Sequence, residues 1–265
     1  RLMRVPVVLS SQRSYRELVP PRYMPPLRIS DRLANGIVVN CDAIRKHLVE
    51  DYSIPAGAID TCYNAIDTDR FHSQTRQRPQ SLQDASIVVG IVCVLRAIKN
   101  IETLVSAFAA ASAGMPLARL VIVGDGPEKD MLRTLASTLD IADKVVFIPS
   151  TNDVAPWLRA IDVFVLPSTS EALSNSLMEA MASGCCAIAS RVGGNPELIA
   201  DGESGLLFEP RDAAGLAAQL KRVFDDADLR RRLADAGAKS IADRFSVERS
   251  IARLSEVYLR YLNKV

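Results

Sequence analysis

A parallel-sheet α/β fold is predicted for most of this 265-residue chain. Three observations predict it. Short apolar, β-branched runs recur between residues 86 and 205. Each is followed by a turn and an amphipathic helical stretch. The runs are continuous rather than alternating, so both faces of each strand are buried. A sheet of this kind carries helices on both faces and right-handed crossovers.

The strands read 87–94, 120–123, 145–148, 163–166 and 187–189, and the helices between them read 101–111, 129–139, 154–159 and 176–183. From Asp212 onward the pattern is helical only, and Ser246 to Leu262 reads as a last helix. The first sixty residues differ. Strand-like runs at 5–9 and 37–39 flank a loop broken by Pro20, Pro21, Pro25 and Pro26, and a helix follows over 42–50. Two strands with one or two helices cannot enclose a core of their own. This segment is therefore expected to be the tail of a second α/β domain, and the chain, which starts with Arg1, to be processed or cut from a longer one. The missing part would be on the order of 100 residues, about one domain.

Hydrophobic residues make up 48% and charged residues 24%, enough for a globular core. A net charge of +1 gives no reason to expect nucleic acid as a partner. The segment 1–50 is basic, nine Lys/Arg against four Asp/Glu, which suits a solvated face or a surface meeting an anionic acceptor or lipid head groups. The longest apolar run, 87–95, is far short of the roughly 20 residues a spanning helix needs. No secretory leader pattern is visible. The five cysteines, with Cys93, Cys185 and Cys186 inside apolar runs, read as small core residues in a reducing compartment. His47 and His72 are the two histidines, and no Cys/His spacing suggests zinc.

Ligands on an open parallel sheet bind beyond the carboxyl ends of its strands, so the residues following each strand are the candidates. Arg96 and Lys99 follow the first; a lysine there can neutralise a diphosphate leaving group, or simply be solvated. Gly124, Asp125 and Gly126 follow the second, either as a plain turn or as a phosphate cradle lacking the third glycine of the dinucleotide fingerprint. The stretch from Pro167 to Ser176 is the richest. Ser174 or Asn175 can cap the next helix, whose free N–H groups favour an anion. Glu171 precedes that helix and Glu179 lies one turn into it, four residues after Asn175. The two carboxylates can accept hydrogen bonds from sugar and ribose hydroxyls, or be ordinary surface acids. Gly193 and Gly194 after the last strand allow close approach of a ligand or of a neighbouring loop.

Together these residues resemble the retaining glycosyltransferases of the GT-B fold often called the family-4 group. The most specific likeness runs from Pro167 and Ser168 through Glu171 to Glu179, Ala180, Met181, Ala182 and Gly184, similar to the Glu-x7-Glu signature with its Glu-Ala-Met-Ala-x-Gly tail. Supporting stretches run Val121–Pro127, Asp162–Ser168, Gly193–Glu197, Asp201–Phe208 and Asn64–Phe71, so the resemblance covers nearly the whole chain.

The resemblance implies two Rossmann-like domains facing a cleft. Residues 1–62 would be the remnant of the acceptor-binding domain, 63–245 the nucleotide-sugar domain, and 246–265 a helix crossing back. It implies no metal and no cofactor besides the donor, a UDP- or GDP-sugar. Glu171 and Lys99 would be catalytic, on the sugar hydroxyls and the diphosphate. Glu179 would hold the ribose. Leu173, Ser174, Asn175, Ser176 and Leu177 would line the donor at the helix start, with Arg96 as a second cation and Ile148 near the base. The acceptor would be a glycan or lipid-linked glycan, and the location cytoplasmic, with peripheral contact at the inner face of the membrane.

Three departures stand out. Cys93 and Val94 hold the places of a usual Gly-Arg pair, and losing one cation at a diphosphate costs on the order of 2–4 kcal/mol. Ala172 replaces a usual glycine. By the resemblance, most of the acceptor domain would lie outside these 265 residues. A catalytically incomplete nucleotide-sugar-binding module and a GT-B-type nucleotide-sugar epimerase are the alternative readings.

Overall fold

The computed structural model describes residues 5–73 and 78–263. Among them the strands form two sheets, both parallel throughout. The smaller has the order β1 (Leu9–Gln12), β2 (Gly36–Val39), β3 (Ile59–Thr61). Helix α1 (Met24–Leu33) connects β1 to β2, and α2 (Asp42–Glu50) connects β2 to β3.

The larger sheet is built from β4 (Ile87–Val92), β5 (Ala118–Val123), β6 (Val145–Ile148), β7 (Val163–Leu166), β8 (Cys186–Ser190) and β9 (Leu206–Phe208). Its connections are α3 (Ile101–Ala111), α4 (Lys129–Thr138), α5 (Ala155–Ala160), α6 (Asn175–Ala182) and α7 (Asn195–Leu198). The order β6-β5-β4-β7-β8-β9 has a consequence for function. The chain winds outward from β4 to β6, returns to pair β7 with β4, and winds the other way. The loops after β4 and β7 therefore diverge at a switch point, leaving a crevice at the carboxyl edge.

Alternate residues of each strand serve opposite faces. Val88, Val121, Val123, Phe164 and Leu166 join α5 and α6 in one core. Ile87, Val89, Ile91, Leu120 and Val165 join α3 and α8 (Ala213–Asp225) in the other. The first core continues through Ile37, Val39 and Ile44 of the small sheet and α2, so apolar packing links the two sheets.

After α9 (Ala227–Arg244) the chain passes the linker that leaves the small sheet, where Ile66 N–H donates to Phe245 O at 3.0 Å. Ser246 then caps α10 (Val247–Leu262). This helix lies against the small sheet: Val257 and Tyr261 are buried with Cys62, and the partly buried Val7, Leu9 and Val38 pack against them. Asp60, 5% exposed, accepts from Tyr261 Oη at 3.2 Å and pairs with Arg253 and Arg260.

Strands β4 to β8, α2 and α10 lie within two or three residues of the bounds expected from sequence, and the N-terminal segment departs from them. The first strand is Leu9–Gln12, not 5–9, because parallel pairing with Gly36 starts at Leu9. The proline-rich stretch is not only loop: Pro25 and Pro26 open α1. Proline is tolerated in a first turn, where the missing N–H has no intrahelical acceptor. Strands β3 and β9 escaped the sequence reading because each is three residues long.

Candidate active site

Glu171 and Lys99 are brought together, 72 positions apart in sequence, with Lys99 Nζ 2.5 Å from Glu171 Oε1. The switch point causes this, since Lys99 follows β4 and Glu171 follows β7, which are neighbours. Two further bonds lock the loops to each other. Asn100 Nδ2 donates to Pro167 O at 3.1 Å, and Thr169 N–H donates to Ile98 O at 2.9 Å. Asn100 adopts a left-handed φ of 50°, which an asparagine tolerates. Ser168, fully buried, donates its hydroxyl to the same Glu171 oxygen at 2.6 Å. Its own carbonyl accepts from Ser190 Oγ at 2.6 Å. Glu171 is thus held from both sides, leaving its other oxygen for a ligand. Ser168 belongs to the same motif as Glu171, but no local pattern marks its hydroxyl as the carboxylate's partner.

The start of α6 faces the same crevice. Ser174 is its cap, accepting from Leu177 N–H at 3.3 Å. That amide is therefore engaged, and the free ones among the described residues are those of Asn175 and Ser176. This narrows the anion site expected over the stretch to Leu177. Asn175 Oδ1 accepts from Asn64 Nδ2 at 2.7 Å, so the linker from the small sheet reaches the helix start. Leu173 is buried, and with Ser170, Lys99 and Glu171 it lines a cavity of about 210 Å³. Arg13, Ser14, Tyr15 and Leu18, after β1, form its opposite wall. Two sheets thus meet over one cleft.

Glu179 is half-buried on α6, and its carboxylate has no hydrogen-bond partner among the described residues. Burial pushes its pKa up, against the pull of Arg70. Its native state holds the proton more tightly than the unfolded chain does. The stability tied to this proton is full below the unfolded pKa and is lost as pH rises through the native value. Glu179→Gln, which cannot ionise, is therefore expected to melt above the parent at pH 7 and to converge with it towards pH 4. Thermal melts across that range check this.

Ile148 ends β6, and its carbonyl accepts from Gly124 N–H at 2.9 Å. Asp125 ties the neighbouring loops together through Lys129 and through Ser150 N–H at 2.7 Å. Arg96 does not join Lys99. It lines a separate cavity with Glu102, Glu128 and Met131, between α3 and α4. Val94, in the place of the usual arginine, is 51% exposed. Cys93, unlike the fully buried Cys186, is half-buried beside the site. Burial pushes its thiol up to about 12; the Glu171 charge adds to this and Lys99 opposes it.

Gly193 and Gly194 approach a neighbouring loop. Gly194 N–H donates to Ala172 O at 2.7 Å, and a Cβ on Gly193 would lie 1.6 Å from Glu171 O. Glu197 at the end of that motif caps α2. Its carboxylate accepts from Asp42 N–H at 2.9 Å, Ala43 N–H at 2.8 Å and Tyr63 Oη at 2.9 Å. A carboxylate on a helix start is favoured by the free amides and by the dipole. Glu197→Ala is expected to lower unfolding stability by about 1.5–3 kcal/mol, the loss of hydrogen bonds to a charged group. Urea unfolding measures it.

Residues 73–240 match the Glycosyl transferases group 1 family. The chain is 30% identical over 207 residues to N-acetyl-alpha-D-glucosaminyl L-malate synthase of Bacillus anthracis, covering 77% of this chain and 54% of that protein. It is 32% identical over 199 residues to the lipopolysaccharide core biosynthesis glycosyltransferase LpsE of Rhizobium meliloti (strain 1021), covering 75% and 56%. The chain thus spans about half the length of these curated relatives. The fold superposes on Anabaena HepE in complex with UDP and glucose with a TM-score of 0.82 at 20% identity, over 95% of this chain and 71% of that one.

Proposed function

Because this chain belongs to the glycosyl transferases group 1 family, we propose that it carries the donor site of a retaining glycosyltransferase. The reaction moves a sugar from a UDP- or GDP-sugar to a glycan or glycolipid. The observation that carries this reading is the Lys99–Glu171–Ser168 cluster beside the free amides of α6, at the switch point of the larger sheet. In this reading the diphosphate lies on the Asn175 and Ser176 amides, with Lys99 neutralising it. Glu171 accepts from the sugar hydroxyls, Glu179 from the ribose, and the base sits beyond Ile148. The bond between the anomeric carbon and the diphosphate breaks, and the acceptor oxygen bonds on the same face. The leaving phosphate takes the acceptor's proton. The protein supplies position and charge stabilisation. The acceptor side is the wall formed by Arg13, Ser14 and Tyr15. Contact with a membrane face belongs to the same proposal; no helix among the described residues is long and apolar enough to cross one.

The names of the relatives support the glycan side of this reading, and the UDP and glucose bound to HepE support the donor side. We further propose that residues 1–62 belong to the acceptor domain, 63–245 to the donor domain, and 246–265 to the returning helix, as their sheets and the packing of α10 suggest. A binding module without catalysis is favoured by one observation, the exposed Val94 with Arg96 turned elsewhere.

Calorimetric titration with UDP, GDP and ADP, without metal, tests the donor site. Binding of one nucleotide, weakened by both Lys99→Ala and Glu179→Ala, supports it and names the base. Binding that neither substitution affects would refute this placement of the donor.

A further inference from the structure

A second cavity, of about 610 Å³, lies away from the cleft at the opposite end of the small sheet. It is lined by Gly36 and Ile37, which open β2, and by Ile54 and Pro55, which precede β3. Its size falls within the range of small-molecule sites. Its cations are unusual. Arg16 is 2% exposed, and buried arginines are normally fully paired. One carboxylate answers it, Asp31, at 2.5 Å, while its Nε has no hydrogen-bond partner. The guanidinium lies 4.7 Å from the centre of the Tyr52 ring, which holds its plane. Arg28 and Arg32, one turn apart on α1, line the same cavity and have no ion pair among the described residues. The second carboxylate of the lining, Asp51, accepts from His47 Nδ1 at 2.7 Å. Three guanidinium groups thus face two carboxylates, each already engaged, and the field of the cavity is positive.

We propose that this cavity binds the phosphate group of a small molecule or a lipid head group. Arg28 and Arg32 meet the phosphate oxygens and Arg16 closes the site from below. Guanidinium forks match two oxygens of a phosphate at once, which a single lysine does not. The apolar wall of Ile37, Ile54 and Pro55 receives the body that carries the phosphate.

The test uses the full chain, labelled with 15N, titrated with inorganic pyrophosphate. Amide shifts at 35–37 and 53–58 are expected, separate from any at 97–99 and 170–177 in the donor cleft. Arg28→Ala/Arg32→Ala should weaken that response about tenfold or more. Both residues are exposed on a helix, so the variant should keep its circular dichroism spectrum. A second arm measures co-sedimentation with phosphatidylglycerol-containing vesicles against pure phosphatidylcholine. Vesicle binding lost in the same variant assigns the phosphate to a lipid; a pyrophosphate response without vesicle binding assigns it to a soluble ligand. If neither probe responds to the double substitution, or if the shifts fall only in the donor cleft, the proposal is overturned.

Discussion

Lys99→Ala is expected to weaken binding of the matching nucleoside diphosphate about 10- to 100-fold while leaving the bare nucleoside almost unchanged. The magnitude is that of a hydrogen bond to a charged group, about 1.5–3 kcal/mol. The selectivity follows from position. Lys99 follows β4 and pairs with Glu171 after β7; the proposed function puts the diphosphate here, at the start of α6, and the base further along, past β6. The nearby sequence offers no replacement cation, since Val94 stands in the usual arginine's place and Arg96 turns towards α4. The substitution also strips Glu171, 10% exposed, of its ion-pair partner, so part of any loss is structural. The double variant Lys99→Ala/Glu171→Gln removes that unpaired charge. Diphosphate affinity that stays low in the double variant assigns the loss to the missing cation. Recovery would mean that Lys99 serves only to hold Glu171. Equal loss of nucleoside and diphosphate would place the diphosphate elsewhere.

The sheet was legible because its strands are continuous apolar runs, buried on both faces and separated by helices long enough to show a period. The cap at Ser174 was legible because capping is a local interaction. The contacts that make the site were not local. Lys99 and Glu171 could each be singled out by following a strand end, but their salt bridge depends on β7 pairing with β4 rather than with β6. That strand order is set by crossovers, which a local pattern does not encode. Glu197 shows the same limit from another side. Its partners, the amides of Asp42 and Ala43, are 155 and 154 positions away in the other sheet's helix. Arg96 is the converse: its place after β4 suggests a second phosphate cation, and in the structure it lines a different cavity, with Glu102 and Glu128. By its sequence the glycine pair admits a ligand or a neighbouring loop, and the structure resolves the neighbour that touches it as the 171–172 loop.

That resolution gives the largest structural effect expected for a single methyl group. Gly193 has φ of 50°, and a Cβ there would fall 1.6 Å from the carbonyl oxygen of Glu171, well inside any tolerable contact. The obstacle is backbone, so no rotamer relieves it; the 171–172 loop or the 193–194 turn must move. Gly202 supplies a control, because it too is left-handed, at 80°, but a Cβ there meets nothing within 4 Å. Gly202→Ala should therefore lose only the left-handed penalty, about 1–2 kcal/mol. Gly193→Ala should lose that and more, about 2–5 kcal/mol once overpacking of about 1–3 kcal/mol is added to the left-handed penalty. Urea unfolding of the two variants measures the difference. The same displacement carries Glu171 away from Ser168 and Lys99, so under conditions where Gly193→Ala is still folded its nucleotide-sugar affinity should fall while that of Gly202→Ala holds. Equal destabilisation of the two, with donor affinity intact in both, would show that the turn yields without moving Glu171. The glycine pair would then be a hinge rather than the support on which the Glu171 carboxylate rests.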